Sequence, residues 1–200
     1  MGGPGGPPRE PEDDRELVDR SRRGDREAFA TLVRRHQDRA FNLAYQMVRN
    51  REDALDISQD AFARAYTSLA AFKGEASFST WLHRIVVNLA IDNLRRTRRS
   101  GTTAYDDTRA APEGGEAEPA AREDPATALE TKQVRALLAR GIAQLPPAQR
   151  AVLVLREIEG LRYEEISRVV GCTLGTVMSR LFYARRKLQQ VLRAHLGDLR

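Results

Sequence analysis

Only one cysteine, one tryptophan and three histidines occur in the 200 residues of this chain. A single thiol, Cys172, excludes an intramolecular disulfide and a cysteine-built zinc site, and it suits a reducing compartment. His36, His83 and His195 are scattered, without the spacing of metal ligands. No apolar run approaches the ~18–20 residues of a membrane-spanning helix. The opening stretch, MGGPGGPPREPEDDRE, has neither the basic segment nor the apolar core of a secretory signal. These absences lead to the expectation of a cytoplasmic protein with no membrane insertion, no cofactor or metal, and no metal- or thiol-based catalysis.

What the chain does have is charge, and the charge is sorted. Lys and Arg total 33 against 28 Asp and Glu, a net of +5. Residues 133–200 carry a net of +7, whereas residues 101–132 carry −5. Composition divides the chain in four. Residues 1–12 are rich in Gly and Pro and read as a disordered leader. Residues 13–100 are dense in helical periodicity. Residues 101–126 lose it and gain Gly, Pro and acid, which predicts a flexible acidic linker. Residues 127–200 are helical again. The expected fold is therefore all-α: two small helical domains, an N-terminal bundle and a C-terminal helix-turn-helix, on a flexible tether. Basic modules joined by an acidic tether suit a polyanion touched at two places. Net charge argues equally well for plain solubility.

The first long helix is expected from Asp25, a plausible N-cap, with Phe29, Leu32, Val33, Ala40, Leu43, Ala44 and Met47 as its buried stripe. Asn50 breaks it. A helix over about 52–70 follows, with Leu55, Phe62, Ala65, Tyr66 and Leu69 available for the core, and Asp56, Gln59 and Asp60 on the exposed face. Residues 72–80 read as a loop. The helix over about 80–97 then has Trp81, Ile85 and Leu89 as its inner stripe and Arg84, Asn88 and Arg95 on another face. Four arginines in five positions, Arg95, Arg96, Arg98 and Arg99, exceed what a helix C-terminus needs to offset its dipole.

Residues 128–144 are expected as one helix, and Leu145-Pro146-Pro147 opens the next. LRYEEISRVVG and LGTVMSRLFYARRKLQQVL form two further helices around a tight turn at Gly171. Two short helices, a glycine turn and a basic second helix make the helix-turn-helix pattern. Val177, Leu181, Ala184 and Leu188 fill the inner face of the second helix. Its outer face holds Thr176, Ser179, Arg180, Phe182, Tyr183, Arg185, Arg186 and Lys187, and no acidic residue occurs from Thr173 to Ala194.

Three strings, DALDISQDAFARAY, FKGEASFSTWLHRIVVNLAIDNLRR and LPPAQRAVLVLREIEGLRYEEISRVVGCTLGTVMSRLFYARRKL, carry a family resemblance. In this order and spacing they resemble bacterial RNA polymerase sigma factors of the extracytoplasmic-function (ECF) type, over about residues 14–97 and 128–192. The resemblance implies that Asp56, Gln59 and Asp60 dock on the β′ clamp helices of core RNA polymerase. It implies that Ser77, Phe78 and Thr80 help hold a base flipped from the promoter −10 element, with Arg84, Arg95 and Arg96 anchoring phosphates and Asn88 touching the promoter. It implies that the C-terminal helix-turn-helix reads the −35 element in the major groove through Thr176, Met178, Ser179, Arg180, Phe182, Tyr183 and Arg186. Relatives often carry a basic residue where this chain has Met178 and Tyr183. Neither side chain can grip guanine bidentately as Arg does; the alternatives are packing on thymine methyls or facing away from DNA. The remaining implied partners are the polymerase β flap and an anti-sigma factor, with no small-molecule substrate.

Two other functions are compatible with parts of this pattern. A stand-alone repressor would use the first hundred residues as a ligand or dimerisation domain and would need a two-fold operator. An enzyme acting on DNA would need further groups converging on Asp56 and Asp60.

Overall fold

The structure is a computed structural model and describes residues 13–99, 134 and 136–197. The expected leader (1–12) and linker (101–126) lie outside the described residues, as does the start of the helix expected from residue 128. The regular structure among the described residues is helical, and no strand occurs among them. They form two compact units.

The first unit runs to Ala90 and holds α1 (Asp14–Arg22), α2 (Arg26–Val48), α3 (Arg51–Ser68), a 3-10 turn (Leu69–Ala71) and the larger part of α4 (Phe78–Arg99). Local chemistry sets the helix boundaries. The Asp25 carboxylate accepts from the Glu27 and Ala28 amides at 3.0 and 3.1 Å, capping α2. The Asn50 side chain accepts from the Asp53 amide at 3.0 Å, capping α3. A cap of this kind contributes ~1 kcal/mol. Between these helices Arg49 adopts φ 59°, a left-handed conformation that is rare for a residue with a Cβ. Its guanidinium lies 5.0 Å from the Tyr45 ring centroid and donates to Gln46 Oε1 at 3.0 Å, which helps hold it there.

The core of this unit joins Leu17 and Val18 of α1 to the expected α2 stripe, with Leu32, Leu43, Ala44 and Met47 fully buried; Val33 alone of that stripe is only half-buried. On α3 the buried residues are Ala54, Ile57, Ser58, Ala61, Phe62 and Ala65, a strict i, i+3, i+4 series. Leu55 and Tyr66, expected in the core, are instead 49% and 45% exposed. They lie one position off that series, where small alanines allow α2 to approach closely. On α4 the core is built from Phe78, Leu82, Val86, Val87, Leu89 and Ala90, with His83 buried beside them. Trp81 and Ile85 are only half-buried.

The second unit is built from α5 (136–143), α6 (Pro147–Glu157), most of α7 (Tyr163–Val170) and α8 (Leu174–Gly197). Pro147 opens α6, where its missing N–H costs nothing. The buried Arg150 donates to the Leu145 carbonyl at 3.3 Å and to the Ala143 carbonyl, closing the α5–α6 corner. Val152, Leu155, Leu161, Ile166, Val177, Leu181 and Ala184 make the core. Each large aliphatic side chain so buried contributes about 1.5–3 kcal/mol. Gly171 ends α7 at φ 65°, a conformation favourable for glycine and costly for other residues. Thr173 then caps α8, its hydroxyl accepting from the Thr176 amide at 3.3 Å.

Candidate nucleic-acid interface

Three surfaces carry the residues singled out in the sequence. The first is the outer face of α3. Burial of the alanine-rich stripe turns Asp56, Gln59 and Asp60 outward together, one helical turn apart, and all three are exposed. Leu55 stands beside Asp56 and one turn before Gln59, so the face combines two carboxylates, an amide and an exposed aliphatic group. Such a face fits a partner that offers guanidinium groups around an apolar seat. Leu55 was missed because size suggested core. The small residues at 54, 61 and 65 were the available signal.

The second surface is the entry to α4. Gly74 lies at φ 74° in the stretch that follows the 3-10 turn. Ser77 caps the helix: its hydroxyl accepts from the Thr80 amide at 3.1 Å and lies 2.8 Å from the Thr80 hydroxyl. Phe78 and Thr80 do not reach the surface, at 3% and 7% exposure. The Phe78 ring is enclosed by Phe72, Trp81 and His36, at centroid distances of 6.4, 5.9 and 5.3 Å. Phe78 and Thr80, expected with Ser77 to form the pocket and aromatic neighbour of a flipped base, thus lie beneath the loop rather than on its surface. Of the Phe72, Phe78 and Trp81 rings, Trp81 is the one that is only half-buried. It rests 4.9 Å from Phe72.

Further along α4, Arg84, Asn88, Arg95 and Arg96 are exposed. Arg84 and Asn88 share a face one turn apart, and their side chains make no hydrogen bond among the described residues. Arg95 is 3.5 Å from Asp92, an exposed i, i+3 pair worth little in water. Its guanidinium is therefore readily diverted to a phosphate.

The third surface is α8. With Val177, Leu181 and Ala184 buried, Met178, Phe182 and Tyr183 are 52%, 60% and 55% exposed. Met178 and Phe182 stand four apart on one side, and the Phe182 and Tyr183 rings meet edge-on at 5.5 Å. Ser179 and Arg186 are exposed, while Thr176 and Arg180 are half-buried. Arg180 points its guanidinium at Cys172 Sγ, 3.6 Å away in the turn. Arg185, expected on the outward face, is engaged by Glu157 of α6 at 2.5 Å, and this hydrogen bond raises its pKa above the ordinary arginine value. Met178, Phe182, Arg186 and Tyr163 also border a shallow groove. Apolar groups beside a cationic rim on an exposed helix face can meet base methyls and phosphates at the same time. Among the described residues no helix is long and apolar enough to cross a membrane.

A helix-turn-helix with a cationic, partly apolar second helix, accompanied by a separate helical unit with an acidic face, defines a class of DNA-binding transcription protein. The family follows from sequence comparison. Sigma-70 region 2 matches residues 32–100, and Sigma-70, region 4 matches residues 135–188. The RNA polymerase sigma-H factor of Pseudomonas aeruginosa is 39% identical over 94% of this chain and 97% of its own length. The ECF RNA polymerase sigma-E factor of Escherichia coli K12 is 37% identical over 90% of this chain and 96% of its own. The solved structure of CnrH in complex with the cytosolic domain of CnrY superposes with a TM-score of 0.65 at 27% identity, covering 90% of this chain and 97% of that one. The chain belongs to the RNA polymerase sigma factors of the sigma-70 family, with ECF factors among its relatives, and it directs polymerase to promoters for transcription initiation.

Proposed function

We propose that this sigma factor joins three contacts on one chain. The outer face of α3, through Asp56, Gln59 and Asp60, docks on basic residues of the β′ clamp helices of core RNA polymerase. The start of α4, with Ser77 at the loop and Arg84 and Asn88 on the adjoining face, receives an extruded base of the −10 element and stabilises melted DNA. Arg95 and Arg96 hold the flanking phosphates. The start of α8 enters the major groove at the −35 element, with Thr176, Met178, Ser179, Phe182 and Tyr183 toward the bases and Arg180 and Arg186 toward phosphate or a guanine edge. The C-terminal unit also meets the polymerase β flap. The protein acts in the cytoplasm, where polymerase and promoter are, and contributes binding rather than catalysis.

The observation that carries this proposal is the opposite character of the two presented helices. The α3 face is acidic and fits a protein partner with basic helices; the α8 face is cationic and apolar and fits DNA. An anti-sigma factor is the expected regulator. CnrH, similar over nearly its whole length, is seen in complex with the cytosolic domain of CnrY. The test is association with core polymerase. Asp56→Arg combined with Asp60→Arg is expected to abolish co-purification while changing stability by less than ~0.5 kcal/mol per site, as for ordinary surface substitutions. Normal co-purification of that variant would remove α3 as the docking face.

A further inference from the structure

Helix α1 lies before the first residue of the region 2 match, yet it holds both flanks of the stretch that leads into α4. At its C-terminal end, Arg22 Nε donates to the Leu69 carbonyl at 3.1 Å, and Arg22 Nη2 donates to the Phe72 carbonyl. These carbonyls belong to the 3-10 turn and its exit; the Leu69 carbonyl also accepts from the Phe72 amide at 3.1 Å, so Arg22 reinforces a turn that is already closed. At its N-terminal end, Asp14 accepts from Arg35 Nη1 at 3.0 Å and lies 2.7 Å from His36 Nε2. The His36 ring in turn rests 5.3 Å from Phe78, the first residue of α4. Between these ends, Leu17 and Val18 seat α1 in the core. One nine-residue helix, ~13 Å long at 1.5 Å per residue, thus restrains residue 72 directly and residue 78 through His36.

We infer that α1 is a positioning element for −10 base capture, with Arg22 as its main positioning residue. This rests on the proposal above that residues 73–77 and the start of α4 receive the extruded base. Capturing a base in a loop costs conformational entropy unless the loop is already held in its binding shape. The guanidinium fork holds two carbonyls at the loop entrance and so removes part of that cost. Arg22 touches no DNA; it acts through the backbone at Leu69 and Phe72. The Asp14–His36 pair does the same at the loop exit, through the Phe78 ring.

The experiment uses the full chain bound to core polymerase. Its probe is a single-stranded oligonucleotide selected on the wild-type complex from a randomised DNA pool. Arg22→Ala is expected to weaken probe binding about tenfold, with polymerase affinity within about twofold of wild type. Arg22→Lys, which can reach one carbonyl, should recover part of the loss, and Asp14→Asn should give a smaller loss of the same kind. Combined with Ser77→Ala, Arg22→Ala should lose less than the product of the two single effects, because both act on one loop. Asn88→Ala serves as the reference for base contact. Probe binding weakened by Asn88→Ala but unchanged by Arg22→Ala and Asp14→Asn would overturn the positioning role alone. So would strictly multiplicative effects, or an equal loss of polymerase affinity. Probe binding unchanged by both Asn88→Ala and Ser77→Ala would overturn the base-capture proposal and the inference with it.

Discussion

Lowering the pH should loosen the first unit through a single side chain. His83 is 2% exposed and lies on α4 among Leu82, Val86 and Val87. Burial disfavours its imidazolium, and the charges of Arg39 and His36 disfavour it further, bringing its pKa down from 6.5 to about 4. The unfolded chain then takes up a proton near pH 6.5, whereas the folded chain takes it up only near pH 4. Between these values the unfolded state binds more protons, so stability falls as the pH falls. At about 1.4 kcal/mol per pKa unit, the loss is negligible at pH 7.5, ~2 kcal/mol by pH 5 and ~3 kcal/mol at its limit. Trp81 is the only tryptophan and stands two residues before His83, so its fluorescence reports on this unit during urea unfolding. Wild type and His83→Gln, which does not titrate, should be compared from pH 7.5 to 4.5. The wild type should lose ~2 kcal/mol relative to the variant by pH 5. Parallel stability curves, or a wild type that gains on the variant as pH falls, would refute the assignment of a neutral, proton-resisting histidine.

The DNA contacts make separate predictions. Arg95→Ala and Arg96→Ala should weaken promoter complexes on every sequence and lower the slope of log affinity against log salt by ~1 per lost phosphate contact. An effect confined to one base position would make them base readers instead. Met178→Arg should shift preference toward guanine at one −35 position, with ~1–3 kcal/mol of discrimination visible in a library selection. Unchanged preference and affinity would mean that Met178 turns away from the groove. Phe78→Ala should destabilise the first unit by ~3–5 kcal/mol in the same urea assay, as expected for an emptied core site. A surface-sized change would return Phe78 to the DNA face.

Much of this architecture was legible because helix boundaries are written in local chemistry. Asp25, Asn50, Pro147 and Gly171 mark caps, a start and a left-handed stop that depend on only a few neighbouring residues. The α2 stripe was equally plain, since its apolar residues are regularly spaced. On α3 and α4 the stripe was drawn through the biggest side chains, Leu55, Tyr66, Trp81 and Ile85. The helices instead pack through smaller or displaced ones, among them Ala54, Ala61 and Val87. Burial of Phe78 depends on His36, far back on α2, and the engagement of Arg185 depends on Glu157 of α6. Neither partner is local, so neither could be read from spacing. Asp56, Gln59 and Asp60 fall together on the surface because their own helix decides it.

Met178, Phe182 and Tyr183 have a colloidal consequence as well. A trio of exposed apolar groups on one helix favours contact between copies of the protein. The net charge of +7 across residues 133–200 opposes that contact by mutual repulsion. Raising the ionic strength shortens the reach of the repulsion from ~10 Å at 0.1 M to ~3 Å at 1 M and leaves the apolar attraction intact. Free protein should therefore stay dispersed in dilute salt and self-associate in concentrated salt, contrary to the habit of storing nucleic-acid-binding proteins at high ionic strength.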